Sequence, residues 1–423
     1  MTQTPREEGQ RFSELAIAPN LLAILEENKF FTPTPIQYQV IPPALEGKDV
    51  VGIAQTGTGK TMAFGIPMIQ RLALNKGQGL ILVPTRELAV QVNSVLELLG
   101  RTLKLRTAVL IGGASMYIQL QQLRHNPHIV VATPGRLADH LKQRSYSLGQ
   151  IKIVVLDEAD RMLDIGFLPE IRRILLATPK TRQTMLFSAT MPQEIAQIAA
   201  AFMSLPLRIE VAPAGTAASN VRQEIFVVTK EEKVQLLEKV LDDHKGSVLV
   251  FSRTKHGASK ITKAVRHMGH TVAEIHSNRS FPQRRAALDG FKTGKFRVLI
   301  ATDIAARGID VTGISLVVNF DLPDNLGDYV HRIGRTGRAG NSGQAISFAT
   351  HQERSDIRQI ERLIKKTIPI LALPVLPPRR VAPVGEPRPP QSYPPRQGHG
   401  GFPRSPGGRP GGNKRFSQGR RKW

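Results

Sequence analysis

The chain has 423 residues, with 58 Lys or Arg against 34 Asp or Glu, so its formal net charge is +24. This surplus indicates a polyanionic partner, either a nucleic acid or an anionic membrane surface. A basic surface that serves only solubility is the alternative. The chain contains no Cys, which excludes disulfides and thiolate metal sites and fits a reducing compartment.

The N-terminus, MTQTPREEGQ, is polar and acidic enough to be unlike a signal peptide. No apolar run approaches the roughly 18 residues that a membrane span requires. We therefore expect a soluble cytoplasmic protein, which disfavours the membrane surface as the anionic partner.

Short β-branched runs alternate with helical patterns along most of the chain. Strands are predicted near residues 49–54, 80–84, 129–132, 153–156 and 184–187, and again near 225–228, 248–251, 272–275, 298–301, 316–320 and 345–348. Between the two groups lies a stretch of small residues, APAGTAASN. Alternating strands and helices predict an α/β fold in which helices cover both faces of a parallel sheet.

The chain therefore divides into two predicted α/β domains, residues 1–211 and 221–370, joined by a hinge-like linker at 212–220. Residues 371–423 differ in kind, being rich in Pro and Gly. From residue 374 onward they contain eleven Lys or Arg and a single acid, Glu386. Such a segment cannot bury enough apolar surface to offset its ordering entropy, so we predict a disordered basic tail.

A glycine-rich run follows the first predicted strand and opens a helix. It consists of Ala54, Gln55, Thr56, Gly57, Thr58, Gly59, Lys60 and Thr61. Glycines let backbone N–H groups approach phosphate oxygens, and a helix N-terminus favours anions. Lys60 would reach the β/γ-phosphates of ATP and Thr61 would hold Mg²⁺. Ala54 stands where the simple pattern has Gly, so an ordinary Gly-rich turn is the alternative.

Two carboxylates follow the apolar run 153–156. A carboxylate at the end of such a strand, Asp157, suits a second Mg²⁺ ligand of a phosphate-loop enzyme. Glu158 is then placed to orient or deprotonate the attacking water. A surface acidic cluster is the alternative, which the preceding apolar strand disfavours.

Asp157, Glu158, Ala159 and Asp160 read D-E-A-D, and here the chain resembles the DEAD-box RNA helicases. The resemblance extends from about Phe12 to about Ala349. It implies two tandem RecA-like domains that bind ATP, Mg²⁺ and RNA. The runs IHSN and TDIAARGIDV and the basic tail are similar to the bacterial RhlE-type subgroup.

The resemblance assigns further residues to the nucleotide and to its coupling with RNA. Gln37 and Phe30 match the residues that read and stack on adenine, and an amide suits a two-point contact with that base. Asp310 matches the contact to the ribose. The residues that match the coupling motifs are Asp160, Ser188, Thr190 and His331.

The resemblance also implies an RNA surface that reads the backbone rather than the bases. In the first domain it consists of Pro84, Thr85, Arg86, Gly112, Gly113, Thr133, Pro134, Gly135 and Arg136. In the second domain it consists of Arg253, Thr302 and Gly308.

Arg335 and Arg338 resemble the arginines that reach across the interdomain cleft to the γ-phosphate. Such arginines stabilise charge on the transferring phosphoryl group and are worth about 10³–10⁵ in rate. Since they come from the second domain, hydrolysis would require domain closure. One region departs from the family: Ser277 replaces a Gly and Phe281 replaces a Gln, for which Gln283 is a partial substitute, while Arg284 is kept.

We therefore expect an RNA-stimulated ATPase that locally separates short duplexes or remodels RNA–protein complexes, with RNA-processing or ribosome-assembly proteins as partners. A DNA translocase and an ATP-gated RNA clamp or assembly platform with little processive unwinding are the alternatives. Arg residues spaced among aromatics in the tail suit contacts with RNA phosphates and bases. The tail would then act as a tether that raises the local RNA concentration, and an inert solubilising segment is the alternative.

Overall fold

The computed structural model describes residues 10–55, 57–211, 221–306, 311, 313–337 and 343–378. The predicted linker at 212–220 and most of the predicted tail, 379–423, lie outside these residues. So do four of the predicted site residues, Thr56, Gly308, Asp310 and Arg338. We call residues 10–211 the first lobe and residues 221–378 the second lobe.

The first lobe contains seven strands and nine α-helices in its described part. The strands are β1 (Val50–Ile53), β2 (Gln78–Leu82), β3 (Thr107–Leu110), β4 (Ile129–Ala132), β5 (Ile151–Leu156), β6 (Gln183–Ser188) and β7 (Leu207–Glu210). The helices are α1 (Pro19–Glu27), α2 (Pro35–Leu45), α3 (Lys60–Leu74), α4 (Arg86–Gly100), α5 (Met116–Arg124), α6 (Pro134–Lys142), α7 (Ala159–Asp164), α8 (Leu168–Ala177) and α9 (Gln193–Phe202).

The second lobe repeats this alternation. Its strands are β8 (Val221–Val227), β9 (Val248–Phe251), β10 (Val272–Ile275), β11 (Val298–Ala301), β12 (Leu316–Asn319), β13 (Gly343–Ala349) and β14 (Ile370–Leu371). Its helices are α10 (Lys233–Asp243), α11 (Lys255–His267), α12 (Phe281–Lys292), α13 (Asp303–Ala306), α14 (Gly327–Ile333) and α15 (Arg354–Ile364). Across the described ranges, no helix is long and apolar enough to cross a membrane.

Each sheet is buried on both faces, which explains the nearly continuous apolar runs of its strands. Successive strand residues point to opposite faces, so neighbours enter different cores. In β1, Val50 packs into one apolar cluster of the first lobe and Val51 into another. In β9, Val248 and Leu249 separate in the same way.

The two sheets have the same strand order. The first is β3-β4-β2-β5-β6-β1-β7 and the second is β10-β11-β9-β12-β13-β8-β14, with every recorded pair parallel. Numbered within its own lobe, each reads 3-4-2-5-6-1-7. The prediction of an α/β protein with two tandem RecA-like parallel-sheet domains is confirmed.

Ordered packing continues beyond residue 370, where the sequence analysis places the end of the second domain. Leu371 pairs with Phe226 of β8, and the Gln235 amide donates to the carbonyl of Pro377 at 2.7 Å. Leu376 packs against the second lobe's core. The first residues of the predicted tail therefore belong to the second lobe.

Candidate nucleotide and RNA site

The phosphate loop lies between β1 and α3, at the carboxyl edge of the first sheet, where parallel sheets bind ligands. Gly57 and Gly59 both have a φ of 87°, a conformation that L side chains rarely adopt. A Cβ at Gly59 would also collide with the amide of Gln37. The glycines that the sequence analysis selects are therefore required by the backbone.

Lys60 is buried at the first position of α3, and its Nζ donates to the carbonyl of Ala54 at 2.9 Å. The hydroxyl of Thr58 closes the same loop by donating to the carbonyl of Gln55 at 2.7 Å. The carbonyl of Ala54 makes this contact, so the loop forms although Ala54 replaces the Gly of the simple pattern. To reach a phosphate, Lys60 has to exchange this carbonyl for the ligand.

Gln37 joins the adenine-reading segment to the phosphate loop. Its Oε1 accepts from the backbone N–H of Thr34 at 2.8 Å, and its Nε2 donates to the carbonyl of Gly59 at 3.1 Å. The side chain is buried, whereas Phe30 remains 40% exposed. The structure thus places Gln37 beside the loop, with its amide orientation fixed by partners of both kinds.

Asp157 and Glu158 follow β5 and line the same wall of the site. The Oδ1 of Asp157 accepts from the backbone N–H of Glu158 at 3.0 Å. Burial raises the pKa of Asp157 to about 6, although the charge of Lys60 opposes the shift. Glu158 has a φ of 52°, in the left-handed region. Strain of this kind in a residue other than glycine is typical of functional sites.

Asp160 connects this wall to the end of β6. Its Oδ2 accepts from both the N–H and the hydroxyl of Thr190 at 2.9 Å, and from the N–H of Ala189 at 3.2 Å. The hydroxyl oxygen of Ser188 accepts from the N–H of Asp160 at 3.2 Å. Asp160, Ser188 and Thr190 therefore form one hydrogen-bonded cluster. They are three of the four residues predicted to couple the nucleotide site to RNA.

Residues of both lobes line a cavity of about 530 Å³ at this site. Among the residues that line it are Gly57, Gly59, Lys60, Thr61, Asp157 and Glu158 from the first lobe and Arg335 from the second. Arg335 is buried, and its Nε donates to the carbonyl of His331 at 3.2 Å. One of the two predicted arginines thus shares a cavity with the phosphate loop, and the other, Arg338, lies outside the described residues.

The same cavity offers oxygen donors that fit a Mg²⁺ ion. Thr61 and Asp157 both line it, and a hydroxyl with a carboxylate is an oxygen donor set that Mg²⁺ accepts beside phosphate oxygens. Within the described ranges, no three His, Cys, Asp or Glu side chains cluster closely enough to form a metal site of their own. The donor set therefore suits an ion that arrives with ATP.

The predicted RNA residues of the first lobe cluster around the turn that follows β3. Arg136 donates to the carbonyls of Ile111 and Ala114 at 3.0 and 2.9 Å, so it brackets Gly112 and Gly113. The guanidinium of Arg86 lies against both glycines, where a Cβ at Gly113 would collide with it. Burial and the nearby charge of Arg284 lower the pKa of Arg86. Such a concentration of positive charge suits an anionic ligand.

Two hydroxyl residues of this surface stand at helix starts. Thr85 is the N-cap of α4, and its Oγ1 accepts from the N–H of Leu88 at 3.2 Å. Thr133 precedes α6, whose first turn contains Pro134 and Gly135. Pro84 and Thr85 are buried, so any contact that they make with RNA would come largely from their backbone or from one edge of the side chain.

In the second lobe, Arg253 is already engaged by carboxylates. It donates to Glu353 at 2.9 Å and forms an ion pair with Asp324 at 3.1 Å. Burial lowers the pKa of Arg253, but the contacts with Glu353 and Asp324 raise it above its ordinary value. Thr302 follows β11 and is half-buried. A phosphate would have to compete with the two carboxylates for Arg253.

The sequence analysis did not assign roles to Glu87 and Arg284, which form an ion pair between the lobes at 2.7 Å. Phe281, which departs from the family pattern, packs against the apolar cluster of the first lobe. The side chain of Gln283 caps its own helix through the N–H of Ser280, so its amide oxygen does not replace the missing Gln. In the sequence, the position of Glu87 directly after the predicted RNA contact Arg86 was the feature that could have indicated a role for Glu87.

Together, the fold and site define a two-lobed ATPase in which a phosphate loop faces an arginine from the opposite lobe. Residues 34–198 match the DEAD/DEAH box helicase model, and residues 232–340 match the helicase conserved C-terminal domain. The chain belongs to the DEAD-box ATP-dependent RNA helicase family.

Named relatives agree with this assignment. The chain is 42% identical over 368 residues to the DEAD-box ATP-dependent RNA helicase CshA of Bacillus cereus, covering 86% of this chain and 70% of that protein. It is also 42% identical over 362 residues to the ATP-dependent rRNA helicase RRP3 of Scheffersomyces stipitis, covering 85% and 75%. The placement in an RhlE-type subgroup stays a prediction.

Among solved structures, the chain is similar to S. cerevisiae Dbp5 bound to RNA and ADP BeF3. The TM-score is 0.76 at 31% identity, and the match covers 85% of this chain and 96% of that one. It is also similar to Mss116p bound to single-stranded RNA and AMP-PNP, with a TM-score of 0.79 at 26% identity over 88% and 82% of the two chains.

Proposed function

We propose that this RNA helicase hydrolyses ATP only when RNA has brought its two lobes together, and that closure locally separates short duplexes or remodels RNA–protein complexes without regard to sequence. The observation that carries the proposal is the shared cavity, in which the phosphate loop of the first lobe faces Arg335 of the second. Neither lobe alone contains a complete site.

In this proposal, the first lobe holds the nucleotide and the water. The amide of Gln37 and the ring of Phe30 position the base, and Lys60 leaves the carbonyl of Ala54 to contact the β/γ-phosphates. Thr61 and Asp157 would hold Mg²⁺, and the chemistry that this ion would supply is neutralisation of charge on the phosphates. Asp310 would contact the ribose.

Glu158 orients the attacking water and accepts its proton, and Arg335 and Arg338 stabilise the negative charge that builds on the transferring phosphoryl group. Asp160, Ser188, Thr190 and His331 connect this chemistry to the position of the RNA. Since the arginines come from the second lobe, ATP hydrolysis requires the two lobes to be closed.

RNA would lie across both lobes. Arg86, Arg136 and the N–H groups near Gly112 and Gly113 supply a basic turn that suits phosphate oxygens. In the second lobe the predicted contacts are Thr302, Gly308 and, once released from its carboxylates, Arg253. Such contacts position the backbone and carry no base information. Ribosome-assembly or RNA-processing proteins are the proposed partners, and the relative RRP3 is named an rRNA helicase.

A strand-displacement assay on short RNA and DNA duplexes tests the proposal, with the wild-type chain and Glu158→Gln compared. ATP-dependent displacement of RNA that Glu158→Gln abolishes is the expected result. ATPase activity that DNA stimulates as strongly as RNA would favour a DNA translocase. RNA that is retained in the presence of ATP without displacement would favour an RNA clamp.

A further inference from the structure

Arg161 is a buried cation whose guanidinium group donates no hydrogen bond within the described ranges. It lies in α7, directly after the D-E-A-D run, and its side chain is only 2% exposed. None of its three guanidinium nitrogens has a hydrogen-bond partner among the residues that the structure describes. The nearest recorded opposite charge is Oε2 of Glu158, which lies 3.6 Å from Nε.

Burial of this guanidinium group is energetically unfavourable unless it gains hydrogen-bond acceptors. Buried polar side chains are nearly always hydrogen-bonded, and a buried charge without partners is costly. The Oε2 atom of Glu158 is also buried and has no hydrogen-bond partner in the described part of the chain. Two opposite charges therefore face each other just beyond hydrogen-bond distance, and one of them belongs to the proposed water-activating residue.

A second observation connects Arg161 to the opposite lobe. It lines a small cavity of about 10 Å³ together with Phe251, Asp303, Asp328, His331, Arg332 and Arg335, all from the second lobe. That volume is close to the space needed for one water molecule. The wall is polar: Arg332 binds both carboxylate oxygens of Asp303, at 2.5 and 2.6 Å.

We propose that Arg161 is a positioning residue that holds the carboxylate of Glu158 in place. Its guanidinium group lies between that carboxylate and the small cavity that Arg161 shares with the second lobe. Nε faces Glu158, while the two terminal nitrogens reach the polar wall of the second lobe through one water. This inference rests on the proposed function of Glu158 and adds to it a means by which closure reaches the water-activating carboxylate. Arg161 itself touches neither ATP nor RNA.

The chemistry of the side chain fits this role. A guanidinium presents five donors in a rigid plane, so it can hold a carboxylate on one edge and other acceptors on another, which an ammonium does less well. Glu158 needs such support, because its backbone is in the left-handed conformation and its Oε2 accepts no hydrogen bond from any residue that the structure describes.

The test compares Arg161→Met with wild type in RNA-stimulated ATP hydrolysis, with KM for ATP measured alongside kcat. Positioned proton transfer contributes about 10²–10⁴ in rate, so loss of the positioning residue should lower kcat by roughly 10- to 100-fold. KM for ATP and affinity for RNA with a non-hydrolysable ATP analogue should stay within about threefold of wild type. Arg161→Lys, which keeps the charge, should recover part of kcat.

Arg172→Met is the matched control, since Arg172 lies exposed on α8, away from the cavity. Its kcat should equal that of wild type. Thermal unfolding of each variant separates misfolding from a loss of positioning. If Arg161→Met does not fold, then Arg161→Lys decides: wild-type kcat with wild-type KM would overturn the inference.

The decisive measurement is a double-mutant cycle in single-turnover hydrolysis. In the Glu158→Gln background, Arg161→Met should cause little further loss, because both changes remove the same function. Equal losses in both backgrounds, or a weakened binding of the ATP analogue, would overturn the inference. Wild-type hydrolysis by Glu158→Gln would instead contradict the proposed function, so the two failures are distinguishable.

Discussion

Nε and a terminal nitrogen of Arg284 both lie 2.7 Å from Oε1 of Glu87, and this ion pair joins the second lobe to the first. The side chains are 13% and 9% exposed. Glu87 immediately follows Arg86, so a single turn of chain contains both an interlobe contact and a proposed RNA contact. Lobe closure and RNA binding therefore share one structural element.

Replacing Glu87 with Gln should weaken lobe closure. Breaking a largely buried pair leaves one charge uncompensated, at a cost of about 3–5 kcal/mol. Part of that cost would fall on closure, so we expect the RNA concentration for half-maximal ATPase to rise at least tenfold, measured by titration. The exchange Glu87→Arg with Arg284→Glu should restore part of the loss, and no restoration would indicate that the pair itself is unimportant.

Thr190→Ala combined with Ser188→Ala should separate ATP hydrolysis from duplex separation. These changes remove the hydroxyl bond to Oδ2 of Asp160 and the acceptor of its N–H. Loss of a neutral hydrogen bond usually costs about 1 kcal/mol, which the fold tolerates. We expect RNA-stimulated ATPase within about threefold of wild type, with displacement reduced at least tenfold. Parallel loss of both activities would contradict a coupling role.

Gln37→Glu should weaken ATP binding while it preserves the shape of the side chain. The carboxylate still accepts from the N–H of Thr34, but it can no longer donate to the carbonyl of Gly59. A buried charge facing a carbonyl oxygen is unfavourable, so the phosphate loop would shift. We expect KM for ATP to rise about tenfold. Lys29→Ala, at an exposed position of the same segment, is the control and should leave KM unchanged.

Deletion of residues 379–423 tests the proposed tether. The cut is placed after Pro378 because Leu376 and Pro377 contact the second lobe. The RNA concentration for half-maximal ATPase should rise and should depend less steeply on salt than in the full-length chain, because fewer RNA phosphates are contacted, while turnover at saturating RNA stays the same. Unchanged RNA dependence would leave the segment with no role beyond solubility.

Most of the fold was predictable from the sequence, because parallel strands that are buried on both faces consist of short apolar runs. Three strands were missed for physical reasons. β3 is an edge strand of only four residues, two of them half-buried, β7 is an edge strand with three exposed residues, and β14 has two residues, both exposed. The shared strand order of the two lobes was also missed, since the same topology can be built from dissimilar residues.

The site was predictable wherever chemistry dictates the residue type, as in the phosphate loop and the carboxylates after β5. Contacts between lobes were not, because sequence spacing gives no information about which distant residues meet. Arg161 and the pair of Glu87 with Arg284 belong to this group. Within the second lobe, the engagement of Arg253 by Glu353 and Asp324 was not predictable either, since these residues are far apart in the chain.

The most direct test of the account is single-turnover ATP hydrolysis by Arg335→Gln at saturating RNA, with binding of a non-hydrolysable ATP analogue measured on the same preparation. An arginine that acts on the transferring phosphoryl group is worth about 10³–10⁵ in rate. The account predicts a loss in that range while analogue binding stays within about threefold. A hydrolysis rate within tenfold of wild type would contradict the claim that Arg335 of the second lobe completes the ATPase site.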